Sequence, residues 1–146
     1  MRHGIQVMYR REHAKNRPVI STPEEVGVLI DALLAESDGE NLAELHSLDR
    51  ELLPSGWPDH ELLVGVCAKL GVGVLEFMDS DGSVVTFGSA PGRGEISYFY
   101  SGGYTGTEFP DRAEVSLDLI RRAVKEFVVS GGQRPTCVQW QVLESW

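Results

Sequence analysis

The chain has 146 residues, 42% of them hydrophobic and 24% charged, the composition of a folded domain rather than of a disordered or membrane-spanning chain. A chain of this length is expected to form one domain, residues 1–146, with a core of its own. Its net charge of -9 argues against direct contact with a phosphate backbone and points to a basic partner instead.

The charge is unevenly spread. Residues 1–20 carry Arg2, Arg10, Arg11, Lys15 and Arg17 against Glu12 alone, whereas residues 21–66 carry eleven acidic side chains against Arg50 alone. No basic segment followed by an apolar core opens the chain, and no apolar run reaches about 18 residues, so a soluble, cytoplasmic protein is expected. Cys67 and Cys137 each sit in an apolar, strand-like run, which predicts buried, inert free thiols rather than a disulfide framework.

In chain order, Ile5 to Tyr9 alternates as a strand does, and with the extended piece Pro18 to Ser21 it predicts a hairpin across the polar turn at His13–Asn16. Thr22-Pro23-Glu24-Glu25 is a capping box with proline at the first helical position, where its missing N–H costs nothing. Val26, Leu29, Ile30, Leu33 and Leu34 then form one apolar stripe, and Asp38-Gly39 ends the helix. Leu42 to Leu48 predicts a strand, followed by a loop punctuated by proline and glycine, Leu53 to Asp59. His60 to Cys67 and Val72 to Met78 predict two more, and Asp79-Ser-Asp-Gly82 a tight turn into Val84–Phe87.

After a break at Ser89–Gly94 comes an aromatic strand, Ile96 to Tyr100, and then SGGYTGTEFP, residues 101–110. The latter predicts a strand-to-helix loop with Tyr104 and Glu108 facing outward. A second helix runs from Leu117 to Val129, with Ser116 as N-cap, Leu117, Ile120, Val124, Phe127 and Val128 as its stripe, and Gly131-Gly132 as its stop. Thr136 to Leu143 closes the chain as a strand. Two amphipathic helices and a largely antiparallel sheet of six or seven strands give an α+β fold.

The chemistry is mostly negative. SGGYTGTEFP lacks the spacing and the lysine of a phosphate-binding loop, and Glu108, Asp111 and Glu114 would repel phosphate there. The histidines His3, His13, His46 and His60 share no metal-binding spacing, and no C-x-x-C exists. Asp59-His60-Glu61 is a compact titratable cluster, but neighbours in a strand point to opposite faces, which predicts a strand-edge histidine rather than a catalytic one. No catalytic residue, metal or cofactor is expected. What remains is aromatic: Tyr98 and Tyr100 share one strand face, Phe99 takes the other, and Trp57 and Tyr104 sit in loops beside carboxylates. Exposed tyrosine and tryptophan near acidic side chains is a composition that protein interfaces favour.

Residues 96–140 supply a resemblance. The aromatic strand SYFYSGG, then TGTEFP, then the helix RRAVKEF ending in a glycine turn, then QRPTCVQW, resemble the immunity-protein family Imm-one of bacterial polymorphic toxin systems. That family includes inhibitors of cytosine deaminase toxins that act on double-stranded DNA. The resemblance implies a non-enzymatic inhibitor that binds a cognate toxin domain, a nucleic-acid deaminase or else a nuclease. The acidity of the chain adds that this domain is basic, and a monomer or weak homodimer is expected. No contact residues come with it. The expected partner-binding residues, Trp57, Asp59, Glu61, Tyr98, Tyr100, Tyr104 and Glu108, follow from exposure and composition. The alternative is a small-molecule-binding or regulatory domain with a pocket under the aromatic strand.

Overall fold

A computed structural model describes residues 4–35, 41–88, 97–101 and 105–142. Strand β1 (Ile5–Met8) is followed by a 3-10 turn (Arg11–Ala14) and the short β2 (Val19–Ile20). Helix α1 spans Pro23–Ala35. Strands β3 (Leu42–Ser47), β4 (Glu61–Cys67), β5 (Val72–Asp79) and β6 (Gly82–Thr86) come next, then β7 (Ser97–Ser101) and β8 (Thr105–Phe109). A 3-10 turn (Asp111–Ala113), the two-residue β9 (Val115–Ser116), α2 (Leu117–Val129) and β10 (Trp140–Val142) complete the chain.

The α+β class holds. One eight-stranded sheet has the order β10-β6-β5-β4-β3-β1-β2, with β9 pairing to β5, and a separate two-stranded sheet joins β7 to β8. Every pairing is antiparallel. The expected hairpin of β1 and β2 is present. No helix among the described residues is long and apolar enough to cross a membrane.

The sheet is covered on both sides, and alternation assigns each residue to a side. Leu62, Val64 and Val66 of β4, with Leu75 and Phe77 of β5, face the helices and pack with Ile30, Leu33, Ile120, Val124 and Phe127. Leu63, Val74 and Val85 face the other way and pack with Phe99 and Phe109 of the β7–β8 hairpin. The uninterrupted apolar run of β4 follows from this two-sided burial. Two glycines let the layers approach. A Cβ on Gly65 would stand 2.8 Å from the Phe99 ring, and one on Gly73 would stand 2.7 Å from the Ile120 side chain.

The helix ends match their sequence signals. Thr22 Oγ1 accepts from the Glu25 amide at 3.3 Å while Glu25 Oε1 accepts from the Thr22 amide at 3.1 Å. Hydrogen bonds from Ser21 and Thr22 hold the Glu25 carboxyl below its usual range. Ser116 Oγ caps α2 by accepting from Leu119 N, and Gly131 and Gly132, at φ +74° and +100°, end it. The glycine that was to stop α1, Gly39, lies outside the described residues.

Three expectations need correction. SGGYTGTEFP is not a strand-to-helix loop: residues 105–109 form β8, which returns along β7 with Tyr98 opposite Glu108 and Phe99 opposite Thr107. Its run of glycines and threonines hid the period-2 placement of Phe109 in the core. The last strand is short, because Glu126 of α2 replaces the sheet ladder upstream of it. Its carboxylate accepts from the Thr136 amide (2.6 Å), the Thr136 hydroxyl (2.7 Å) and the Cys137 amide (3.2 Å). Burial alone would raise the Glu126 carboxyl, but these bonds outweigh it and lower it. The cysteines are free but only partly buried, and burial, then Glu126, pushes the Cys137 thiol up.

Candidate functional site

On the hairpin side, the sheet has two halves. Phe99 and Phe109 cover Leu42, Leu63, Val74 and Val85. Beyond them the same alternation places Glu44 and His46 of β3, Glu61 of β4, and Glu76 and Met78 of β5 on that face. The register runs Glu44 opposite Leu63 opposite Glu76, with Glu61 opposite Met78. Three carboxylates thus stand on adjacent strands, each partly buried.

Their electrostatics record the crowding. Burial pushes the Glu44 carboxyl up and the charge of Glu61 pushes it further, with His46 and Arg17 offsetting part of the shift. Glu76 is raised by burial and again by Glu61. His46 Nε2 lies 3.0 Å from Glu61 Oε2, the one close counter-charge among the described pairs on this face, and a full one only when the ring is protonated. A positive group arriving here would relieve repulsion that the fold itself leaves standing.

Beside this face is the loop between β3 and β4. Its tip is closed by the Leu53 amide donating to Trp57 O at 2.8 Å and the Gly56 amide donating to Leu53 O at 2.8 Å, with Gly56 at φ +89°. The loop carries Leu52, Leu53 and Trp57 outward, the last 69% exposed. A shallow cleft of about 260 Å³, lined by His46, Trp57, Pro58, His60, Glu61, Met78 and Asp79, joins the loop to the acidic face.

At the loop's base, β4 begins at Glu61, so Asp59 and His60 are loop residues and opposite strand faces do not separate them. His60 Nδ1 lies 2.9 Å from Asp59 Oδ1, and its Nε2 accepts from the Ser47 amide at 2.8 Å. Both ring nitrogens are therefore committed, with the proton on Nδ1, and the ring is buried. Asp59 also receives Arg50 through Nε at 3.1 Å and Nη2 at 3.1 Å. Burial alone would raise the Asp59 carboxyl; the His60 and Arg50 bonds outweigh it and hold it low. Burial lowers the His60 pKa below 6.5, against the pull of Asp59. Among the described residues no group of three metal-ligating side chains converges.

The expected partner-binding residues thus fall in several places. Trp57, Asp59 and Glu61 come together at the cleft, but the side chains of Asp59 and Glu61 are only 31% and 24% exposed and each has an internal partner. Both were expected to be open surface; the ion pairs to Arg50 and His46 draw them inward. Glu108 is exposed on β8. The backbone of Tyr98 and Tyr100 lies in β7, while their side chains and the whole of Tyr104 lie outside the described residues. Sequence reasoning missed Glu44, His46 and Glu76. The signal was present: polar residues at alternate positions of LAELHS, and a lone glutamate inside VGVLEFM.

The model of the family described as Immunity protein Imm1 matches residues 14–142. The chain belongs to that family. An Imm1 match spanning both the helix layer and the hairpin layer places the acidic face and the Trp57 loop within the matched region. No curated protein matches the chain in sequence. Among solved structures it is similar to a hypothetical protein from Neisseria gonorrhoeae, at 11% identity and a TM-score of 0.48, over 92% of this chain and 90% of that one. Membership of the Imm1 family supports an immunity role and the binding of a toxin protein.

Proposed function

We propose that this protein neutralises, in the cytoplasm, a co-encoded polymorphic-toxin domain that deaminates cytosine in nucleic acid, by covering the toxin's substrate cleft. The observation that carries the reading is the acidic half of the sheet face. Glu44, Glu61 and Glu76 crowd together, and burial and mutual repulsion raise the carboxyls of Glu44 and Glu76. An enzyme that holds a phosphate backbone presents basic side chains, which would add to the partial counter-charge that His46 and Arg17 give this face. Trp57 supplies an aromatic anchor at the rim of that face. Asp59, Tyr98, Tyr100, Tyr104 and Glu108 complete the proposed contact set, and the inhibitor acts as a monomer or weak homodimer without cofactor or chemistry of its own.

On the sheet side of β7, Phe99 and Phe109 pack with Leu63, Val74 and Val85, which favours the interface over the alternative reading, a small-molecule pocket under the aromatic strand. The test is an assay of cytosine deamination on double-stranded DNA by the toxin domain encoded beside this gene. Stoichiometric inhibitor should abolish turnover, and Glu44→Lys with Glu76→Lys should restore it. A toxin domain of other chemistry, inhibited equally well, overturns the deaminase assignment. A toxin domain that ignores the wild-type protein overturns neutralisation.

A further inference from the structure

The loop that carries Trp57 leaves the sheet at Ser47 and returns at Glu61, and a loop of this length needs anchoring at its base. The anchor is a chain of hydrogen bonds through one ring. The Ser47 amide donates to His60 Nε2, His60 Nδ1 donates to Asp59, and Arg50 grips Asp59 with Nε and Nη2. Arg50 Nη1 reaches on to Gly132 O at 2.8 Å, and Ser47 Oγ donates to Gly131 O at 2.8 Å. Gly132 leaves room for this contact, since a Cβ there would stand 2.5 Å from that of Ser47. Both ends of the loop are thereby tied to the turn after α2.

We propose that His60 is a positioning residue, a proton-sensitive latch that holds the Trp57 loop in the conformation a protein partner meets. The latch needs one protonation state. Neutral His60 with its proton on Nδ1 donates to Asp59 and accepts from Ser47 at once. A second proton on Nε2 removes the only acceptor that nitrogen offers and sets two N–H groups against each other.

The groups facing the ring are Asp59 and Arg50 from the loop, and His46, 6.0 Å away on β3 with Glu61 behind it. From the α2 side come the uncharged Phe127 ring and the turn carbonyls, with the Asp49 carboxylate lying against Gly131. Asp59 draws the second proton in; burial and Arg50 keep it out, and the balance lies below 6.5. The unfolded chain therefore binds that proton more readily, so the latch is intact at neutral pH and its contribution is lost as pH falls below 6.5.

The inference rests on the proposed interface only for what the loop is for; the latch can be read without a partner. Proton–nitrogen NMR of the free protein from pH 7.5 to 5 should show the His60 ring, the Ser47 amide and the Trp57 indole titrating together, with a midpoint below 6.5. His60→Gln, which keeps an acceptor for Ser47 but takes no proton, should leave the Ser47 and Trp57 signals in their neutral-pH positions at every pH. Asp59→Asn should move the midpoint further down. Ser47 and Trp57 signals that stay fixed while His60 titrates, or a midpoint at or above 6.5, overturn the latch. The wild-type titration decides the matter even where His60→Gln does not fold, and it does so whether or not any toxin binds.

Discussion

The two faces of the central sheet are built from the same strands and end in opposite conditions. Toward the helices, Ala43 and Leu45 of β3, Leu62, Val64 and Val66 of β4, and Leu75 and Phe77 of β5 are apolar and buried, and Ile30 and Ile120 lock into them with no exposure at all. Toward the hairpin, apolar burial stops halfway, and Glu44, Glu61 and Glu76 take over while the alternation continues unbroken. Alternation fixes which side a residue faces but not whether that side is core. That depends on what the rest of the chain lays over it: among the described residues, two helices on one side, and the β7–β8 hairpin with Ala113 on the other.

The contrast breaks most visibly on the helix side. Ile30→Asp places a charge on the buried stripe of α1 and should cost about 4 kcal/mol or more, enough to unfold the protein. Circular dichroism of a cooperatively melting, native-like Ile30→Asp protein would remove that face from the core. Phe99→Ala, on the covered half of the other face, should cost about 3 kcal/mol and lower the melting temperature, because Phe99 packs edge-on against Phe109 and over Gly65. Calorimetry giving a loss below about 1 kcal/mol would mean that the hairpin is not part of the same cooperative unit.

The acidic half should respond with the opposite sign. Glu44 and Glu76 have carboxyls raised by folding, so the folded chain takes up protons more readily than the unfolded one, and their charges destabilise it above that range. Glu76→Gln should therefore raise stability at pH 7 slightly, by about 0.5 kcal/mol, and the gain should vanish as pH falls toward 4.5. A Glu76→Gln protein less stable than wild type at pH 7 would show that the carboxylate is satisfied within the fold. His60, lowered by folding, acts in the other direction over pH values just below 6.5, so the two effects separate in a pH series of melts.

Much of this was legible in the sequence. The capping box at Thr22–Glu25, the stripes of both helices and the apolar runs of β4 and β5 identify their elements because local chemistry and tertiary burial agree there. β8 was not legible, because Gly106 and two threonines dilute its alternation and, among its described side chains, only Phe109 is core. The last strand read too long because a side chain 10 residues away, Glu126, satisfies the Thr136 amide. The site was half legible. Trp57, Asp59 and Glu61 stand out by composition, whereas Glu44 and Glu76 matter only through neighbours on other strands. Register decides that, and a single sequence does not carry register.

The central claim is that a basic toxin surface docks on the acidic half of the sheet face, with Trp57 as anchor. Surface plasmon resonance at two ionic strengths, with the toxin domain encoded beside this gene, tests it most directly, because rim charges act on association and buried anchors on dissociation. Glu44→Lys with Glu76→Lys, which reverses the charge of that face without touching the loop base, should slow association and flatten its salt dependence. Trp57→Ala should leave association alone and speed dissociation about 30-fold or more, a loss of about 2 kcal/mol. Wild-type association and dissociation rates from both variants would mean that the toxin is held by another face of the molecule, and the account would fail.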